Sequence, residues 1–316
     1  MKILLYESPI ELESLRFQFK SYFQFLEPST DLDFDLRQQV EAIFVKLARK
    51  IDDAELSKFP NLKYVLTPTT GLNHIDLNFC SQNSIEVLSL RQHKDLLRSI
   101  TSTSELIWWH ILEAARKPSL AIESVKRGEW NREVFFTESL TDKKIGIVGF
   151  GRIGKQVAEV ANSFRMKVFI SDFETSDSHF ELVSAQIIFS TCDFIVISIS
   201  DEVSNTSFVD ESLLDLLPKD GAVLVNCSRG HVINEAILER YLETGQLAAV
   251  GVDVLSGELS TTDWLLQSPL WMAQKRFPDR VRITPHIGGA TYDSLRKAEL
   301  ALFSDLLDKV ELPSYG

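Results

Sequence analysis

Cysteine is scarce in this chain of 316 residues: three thiols, Cys80, Cys192 and Cys227, with no CxxC pair. An odd, scattered set of this kind excludes a disulfide framework and fits a reducing, cytoplasmic compartment. Long apolar runs are missing too. No stretch approaches the ~20 apolar residues of a membrane-crossing helix. The opening Met1-Lys2-Ile3-Leu4-Leu5-Tyr6-Glu7 is too short an apolar run for a secretory leader. There is no basic block, and the formal net charge is −12, which argues against nucleic acid as a partner. No internal repeat, low-complexity tract or charge run stands out, and no metal site is expected. What remains is the composition of a soluble globular protein, 44% apolar and 25% charged. Its length is enough for about two domains of ordinary size.

One stretch carries a strong pattern. Lys144-Ile145-Gly146-Ile147-Val148-Gly149-Phe150-Gly151-Arg152-Ile153-Gly154 reads as a parallel strand, apolar on both faces, running into a glycine turn. Gly149 and Gly151 allow a sharp turn and close approach of a ligand, and Gly154 lets the next helix pack tightly on the strand. Val157, Ala158, Val160, Ala161 and Phe164 then recur at helical spacing. The free N–H groups at that helix's start suit a pyrophosphate, with Arg152 and Ile153 at the turn. The next strand ends in Asp172, 18 residues after Gly154, close to where a ribose-binding carboxylate belongs. A tight turn without a ligand would also explain the glycines; strand, helix and terminal acid together favour a dinucleotide. Asp172 is followed by Phe173 and Glu174, with no basic residue to receive a 2′-phosphate, so NAD is favoured over NADP.

Ahead of that stretch, strand signals at residues 2–6, 41–46, 64–66 and 85–88 already alternate with helical spacings at 11–25 and 52–59. Such alternation predicts a parallel sheet covered on both faces. Residues 95–117 read as one long helix, or a loop running into one, capped by Ser102, Thr103 or Ser104 and terminated by Pro118. Leu106, Ile107, Trp108, Trp109, Ile111 and Leu112 make it apolar nearly all round, which suits either a homodimer contact or burial within the chain. Beyond the glycine turn, strands are expected at 194–198, 222–226, 248–254 and 281–284, with helices over 210–217, 234–244 and 294–310. The expected fold class is α/β with two doubly wound parallel-sheet domains. One is discontinuous, residues 1–98 plus 288–316, and the other runs from 99 to 287. A single, unusually wide sheet is the alternative.

Three ionisable groups fall at or just past strand ends, where open α/β sheets bind ligands. They are Arg229 in Asn226-Cys227-Ser228-Arg229-Gly230, Glu258 after Val252-Asp253-Val254, and His286 in Thr284-Pro285-His286-Ile287-Gly288-Gly289. Singly, each has a bland explanation: a solvated arginine, an idle glutamate, a structural histidine. Jointly, on one side of one sheet beside a dinucleotide, they read as a site. With these residues in view, the sequence resembles the D-isomer-specific 2-hydroxyacid dehydrogenase family over nearly its whole length. Thr70-Gly71-Leu72-Asn73-His74-Ile75-Asp76-Leu77, preceded by Pro60-Asn61-Leu62-Lys63-Tyr64, resembles the family's substrate-carboxylate loop.

The resemblance implies a flavodoxin-like substrate domain, a Rossmann NAD-binding domain, and hydride transfer between nicotinamide and the C2 carbon of a 2-oxo acid. In that reading His286 is the general acid/base, suited by an imidazole that titrates near working pH. Glu258 hydrogen-bonds its other nitrogen and fixes the tautomer. Arg229 binds the substrate carboxylate with its fixed, always-charged fork. The backbone N–H groups of Gly71 and Leu72 hold the same carboxylate from the other domain, with Thr70 beside them in the substrate-binding loop. Asp253 holds the nicotinamide carboxamide, with Cys227 and Ser228 nearby; a strand-end capping carboxylate is the alternative. Two departures stand out. Ser198-Ile199-Ser200 replaces the His-x-Pro common in relatives, which bears on cofactor affinity although Ser198 can still reach a ribose or phosphate. Leu259 follows Glu258 where relatives often have proline. The choice of acid is open. Lys46 and Arg49 either reach an extra anionic group on the substrate or are solvated charges, and Trp271 and Met272 either line an apolar pocket or belong to the core. Rival readings are an NAD-binding scaffold with little turnover and a methyltransferase.

Overall fold

The computed structural model describes residues 1–27, 33–173, 179–200, 203–258, 260 and 263–310, so Glu174 and Leu259 lie outside the described residues. The chain divides into two compact units, Met1–Ile100 with Ala290–Gly316, and Thr101–Gly289. The first holds five strands: β1 (Lys2–Leu5), β2 (Gln24–Leu26), β3 (Val40–Phe44), β4 (Tyr64–Thr67) and β5 (Glu86–Ser89). They run parallel in the order β2-β1-β3-β4-β5. Alternate residues feed two separate apolar layers, Ile3, Leu5, Ala42 and Phe44 on one face and Leu4, Ile43 and Val65 on the other. This is the signature of a sheet covered on both sides. Helix Tyr292–Lys309 closes one layer, with Phe303 stacked on Phe44 at a 5.6 Å centroid separation.

The second unit holds β6 (Lys144–Val148), β7 (Lys167–Ser171), β8 (Glu181–Leu182), β9 (Phe194–Ile197), β10 (Ala222–Asn226), β11 (Leu247–Val252) and β12 (Val281–Ile283). All seven are parallel, in the order β12-β11-β10-β9-β6-β7-β8. The order reverses between β6 and β9, and that switch point opens a crevice at the carboxyl ends of the strands. Two parallel, doubly wound α/β sheets are what the sequence pattern led us to expect.

One helix expectation needs correction. The stretch 95–117 is two helices, Lys94–Arg98 and Ser102–Arg116, parted where the Ser99 hydroxyl turns back onto Leu96 O (2.8 Å). Serine and threonine compete for backbone groups in this way. The helix stops just before Pro118, as expected, and Pro118 also starts the next one. Lys117 adopts a left-handed conformation (φ 53°), and Pro118 takes the first position of Pro118–Lys126, where its missing N–H has no partner to lose. The apolar girdle of Ser102–Arg116 is mostly spoken for inside its own unit: Ile107, Trp108 and Ile111 are buried with Ile145, Ile147 and Ala161.

Candidate active site

The glycine turn after β6 is shaped by backbone crowding. Gly149 has φ +94°, and a Cβ there would lie 2.7 Å from Ser198 and Ile199 backbone atoms. A Cβ on Gly154 would lie 2.2 Å from Gly149 O, so helix Arg152–Ser163 packs on the turn only because this residue has no side chain. At Gly151 a Cβ would meet no protein atom within 4 Å. The turn is therefore closed on its protein side and open at Gly151, beside the N-terminus of a twelve-residue helix, an arrangement that fits a pyrophosphate. Arg152 and Ile153 open that helix, and the Ile153 side chain leans into the apolar core.

A cleft of about 980 Å³ runs along this edge, lined by Gly149, Gly151, Asp172 and the Ser198–Ile199–Ser200 loop among others. Asp172 follows β7 and accepts from Phe150 N–H in the turn at 2.5 Å, which aims its carboxylate at the cleft's glycine end. The Ser198 hydroxyl donates to Gly149 O (2.5 Å). Its proton thus braces the turn, and a lone pair is what it offers a ligand. The Cys227 thiol lies in the core with Val225 and Ile147 and is pushed far up by burial, so its side chain does not reach the cleft.

Three neighbouring strands deliver the ionisable groups. After β12, His286 stands in the left-handed region (φ 53°), uncommon for a non-glycine residue and a pointer to a constrained, functional position. Its Nδ1 lies 2.7 Å from Glu258 Oε2, while Glu258 Oε1 accepts from Leu255 N–H at 2.7 Å. Both side chains are about a quarter exposed. The left-handed turn is pinned by Asp253 at the end of β11: Oδ1 accepts from Thr284 Oγ1 (2.6 Å) and Ile287 N–H (2.9 Å), and Oδ2 from Gly288 N–H (2.7 Å). Burial pushes the Asp253 carboxyl above the usual carboxylate range, against the pull of these donors. The capping alternative for Asp253 therefore accounts for three of the bonds it makes.

Arg229 follows β10. Asn226, the buried last residue of that strand, accepts from Ser228 N–H (2.9 Å) and the Ser228 hydroxyl (2.7 Å), and donates to Arg229 O (2.9 Å). The turn then presses on the Glu258 segment so closely that a Cβ on Gly230 would lie 2.0 Å from the Leu255 carbonyl carbon. The Arg229 turn and the Glu258 segment are thus interlocked, Glu258 is paired with His286, and the Arg229 guanidinium donates to Ser228 O (2.6 Å). The role of Asn226 as the brace of the Arg229 turn is not legible in the sequence motif. Buried Glu235 was missed altogether; it accepts from Ser256 N–H and from Ser268 Oγ (3.2 Å), and burial pushes its carboxyl up to about 7. Six residues past Arg229 and outside any recognised motif, such a carboxylate carries no signal in a single sequence.

Thr70, Gly71 and Leu72 follow β4 in the other unit. Arg91 Nε donates to Thr70 O and Thr69 Oγ1 to Gly71 O, each at 2.7 Å, so the loop's carbonyls are engaged by protein donors. The extra-anion reading of Lys46 fails: its ammonium pairs with buried Glu299 and also donates to Ser8 O, each at 2.9 Å. Arg49 lies over the Tyr6 ring, 4.4 Å from its centroid. Trp271 lies beneath the Lys275 ammonium (3.7 Å) and Met272 is exposed, and neither lines the cleft described above. Among the described residues no cluster of metal-ligating side chains occurs, and no helix is long and apolar enough to cross a membrane.

Comparison with known proteins follows the same division. Residues 3–94 match the catalytic-domain model, and residues 108–288 the NAD-binding-domain model, of the D-isomer specific 2-hydroxyacid dehydrogenases. A D-3-phosphoglycerate dehydrogenase of Archaeoglobus fulgidus is 27% identical over 98% of this chain and 57% of its own length. A hydroxypyruvate reductase of Thermotoga maritima is 28% identical over 86% of this chain and 85% of its own. The chain spans about half the length of the D-3-phosphoglycerate dehydrogenases it matches. Among solved structures, a D-lactate dehydrogenase of Aquifex aeolicus with NAD and lactic acid shares the fold (TM-score 0.81, 23% identity, 98% of this chain and 96% of that one). An acyclic imino acid reductase with NADPH and D-Arg aligns at TM-score 0.78 and 25% identity, covering 98% of this chain and 97% of that one. With both domain models matched in order along it, the chain belongs to the D-isomer-specific 2-hydroxyacid dehydrogenase family.

Proposed function

We propose that this protein is an NAD-dependent dehydrogenase that interconverts a D-2-hydroxy acid and its 2-oxo acid. The observation that carries the reading is the 2.7 Å Glu258–His286 pair on the strand edge that also bears the glycine turn. NAD, when bound, supplies or accepts the hydride. His286, its Nδ1 held by Glu258, presents Nε2 to the substrate oxygen, giving it a proton in reduction and taking the proton back in oxidation. Arg229 binds the substrate carboxylate through its fork; in the other unit, the loop Thr70-Gly71-Leu72 is a substrate-carboxylate loop by its resemblance to the family. Gly149, Gly151, Arg152, Ile153 and Gly154 take the pyrophosphate, and Asp172 takes the adenosine ribose hydroxyls, its charge disfavouring a 2′-phosphate. Ser198 and Ser228 offer the cofactor hydroxyl lone pairs, and the Cys227 contribution is confined to its backbone. Asp253 serves chiefly to hold the His286 turn, with its remaining lone pairs open to a carboxamide. Residues 1–98 with 288–316 form the substrate domain and 99–287 the cofactor domain.

Two further readings go with this one. The three cysteines are free and buried, which supports a reducing, cytoplasmic setting. A second copy of the chain covers the segment after helix Ser102–Arg116, where Trp130 (90%), Phe136 (71%) and Val134 (66%) stand exposed, a surface that an isolated monomer rarely leaves open. Sedimentation of the wild type as a dimer, and of Phe136→Glu as a monomer, supports that contact; a monomeric wild type rejects it.

The function itself is tested by following NADH absorbance with glyoxylate, hydroxypyruvate, phenylpyruvate and branched-chain 2-oxo acids, and NAD reduction with 3-phosphoglycerate. Turnover of at least one, faster with NADH than with NADPH, is expected. Cofactor binding without turnover of any would replace the enzyme with a scaffold.

A further inference from the structure

Helix Ser102–Arg116 carries a histidine with no place in the mechanism above. His110 is 1% exposed, on the buried face of a helix that also buries Ile107, Trp108, Ile111 and Glu113. Its side chain packs against β11: a Cβ on Gly251 would come within 2.8 Å of Nδ1 and 2.9 Å of Cβ and Cγ, so this strand position admits no side chain while the imidazole is there. The groups facing it are Thr284 and Arg282 from β12 and its approach to the His286 turn, Asp253 through Thr284, and Glu113 of its own helix, which lies 3.7 Å from Arg282 Nε. His110 Nε2 is 3.3 Å from Thr284 Oγ1. The Thr284 hydroxyl has one proton, and its 2.6 Å bond to the Asp253 carboxylate takes it. The Thr284 oxygen must therefore accept from His110, which fixes the Nε2–H tautomer. Nδ1 is left buried with no hydrogen-bond partner, a state open only to an uncharged ring. Burial and the nearby Arg282 charge agree with it, lowering the imidazole to about 4.

We propose that His110 is a positioning residue for the reaction, holding the His286 turn in register through Thr284 and Asp253. The chain of donors runs in one direction: His110 Nε2–H to Thr284, Thr284 O–H to Asp253 Oδ1, and onto the same carboxylate the N–H groups of Ile287 and Gly288 that follow His286. Each link fixes the next, and the last link sets the left-handed backbone from which the acid/base projects.

The inference rests on His286 being the acid/base, and the test separates the two. His110→Leu keeps the bulk and removes the donor; His110→Gln retains an Nε2–H that can reach Thr284. Hydrogen exchange of the 284–289 segment is read in the cofactor-free chain, and kcat and KM are read by NADH oxidation. In His110→Leu, exchange at Ile287 and Gly288 rises and kcat falls, each by about tenfold, the scale of one lost hydrogen bond. Exchange in β10 and the KM for NADH stay as in the wild type, and His110→Gln restores both readouts. If His110→Leu does not fold, Thr284→Val carries the same expectation. Unchanged local exchange, or exchange raised across the whole unit with no rescue by glutamine, overturns the inference. A wild type that turns over no 2-oxo acid overturns the enzymatic reading instead, and the exchange readout survives it.

Discussion

Two turns on the same edge of the seven-stranded sheet are held by opposite means. The turn at Gly149–Gly154 is shaped first by side chains that are missing, with Gly154 against Gly149 O and Gly149 against the Ser198–Ile199 backbone, and Ser198 and Asp172 only brace it. The turn at Thr284–Gly288 is shaped by side chains that are buried. Asp253 gathers three donors, and His110 adds a fourth group behind Thr284. A turn made by omission presents bare backbone, which is what a pyrophosphate binds. A turn made by buried hydrogen bonds can hold a non-glycine residue left-handed and aim its side chain, which is what a proton donor requires.

The contrast breaks first where crowding is tightest. Gly154→Ala puts a methyl carbon 2.2 Å from a backbone carbonyl. It should lower stability by about 3 kcal/mol or more, a fall in Tm on the order of 10 °C by calorimetry. Asp253→Ala strands the hydroxyl and two N–H donors it satisfied, at roughly 1–3 kcal/mol for each group left buried and unpaired. Its Tm should fall almost as far, with the added signature that exchange quickens at Ile287 and Gly288. Gly151→Ala meets no protein atom within 4 Å, so its Tm should stay near that of the wild type while NAD affinity, measured by titration calorimetry, falls about tenfold, the scale of an interaction worth ~1.4 kcal/mol. Equal effects of alanine at 151 and 154 would dissolve the distinction between the open and closed sides of the turn.

The smallest effect concerns Glu235. Burial raises its carboxyl to about 7, well above its unfolded value near 4.3. Between those values the folded chain keeps a proton that the unfolded chain has lost, so stability from this group is full below the unfolded value and is lost as pH rises toward 7. Glu235→Gln removes the titration. Its Tm, compared with the wild type, should be roughly 2–4 °C more favourable at pH 8 than at pH 5; a pH-independent difference would contradict the assignment.

The same contrast explains what could be read from the chain alone. Backbone demands are written in residue type: glycines 149, 151 and 154 and the strand-end Asp172 announce the turn directly, and so do long apolar strands such as β6, β9 and β10. Short edge strands carry no such mark. Gln24–Leu26 was absorbed into an expected helix that stops at Phe19, and Glu181–Leu182 has two residues. Pro118 marks the end of one helix in the sequence, but that it also begins the next shows only once Lys117's left-handed backbone is known. In the site, Arg229, Glu258 and His286 were legible as chemistry. The Asp253 bonds, Asn226, Glu235 and His110 were not, because a buried polar residue resembles a solvated one until its partner is known. For His110 that partner is 174 residues away.

Whether His286 is the group that moves the proton is tested most directly by the rate of NADH oxidation by His286→Ala with the best 2-oxo acid of the panel. Loss of 10²–10⁴-fold in kcat, the range for a general acid/base, with NAD affinity and Tm close to those of the wild type, is the predicted result. A variant that keeps a near-normal rate would contradict it.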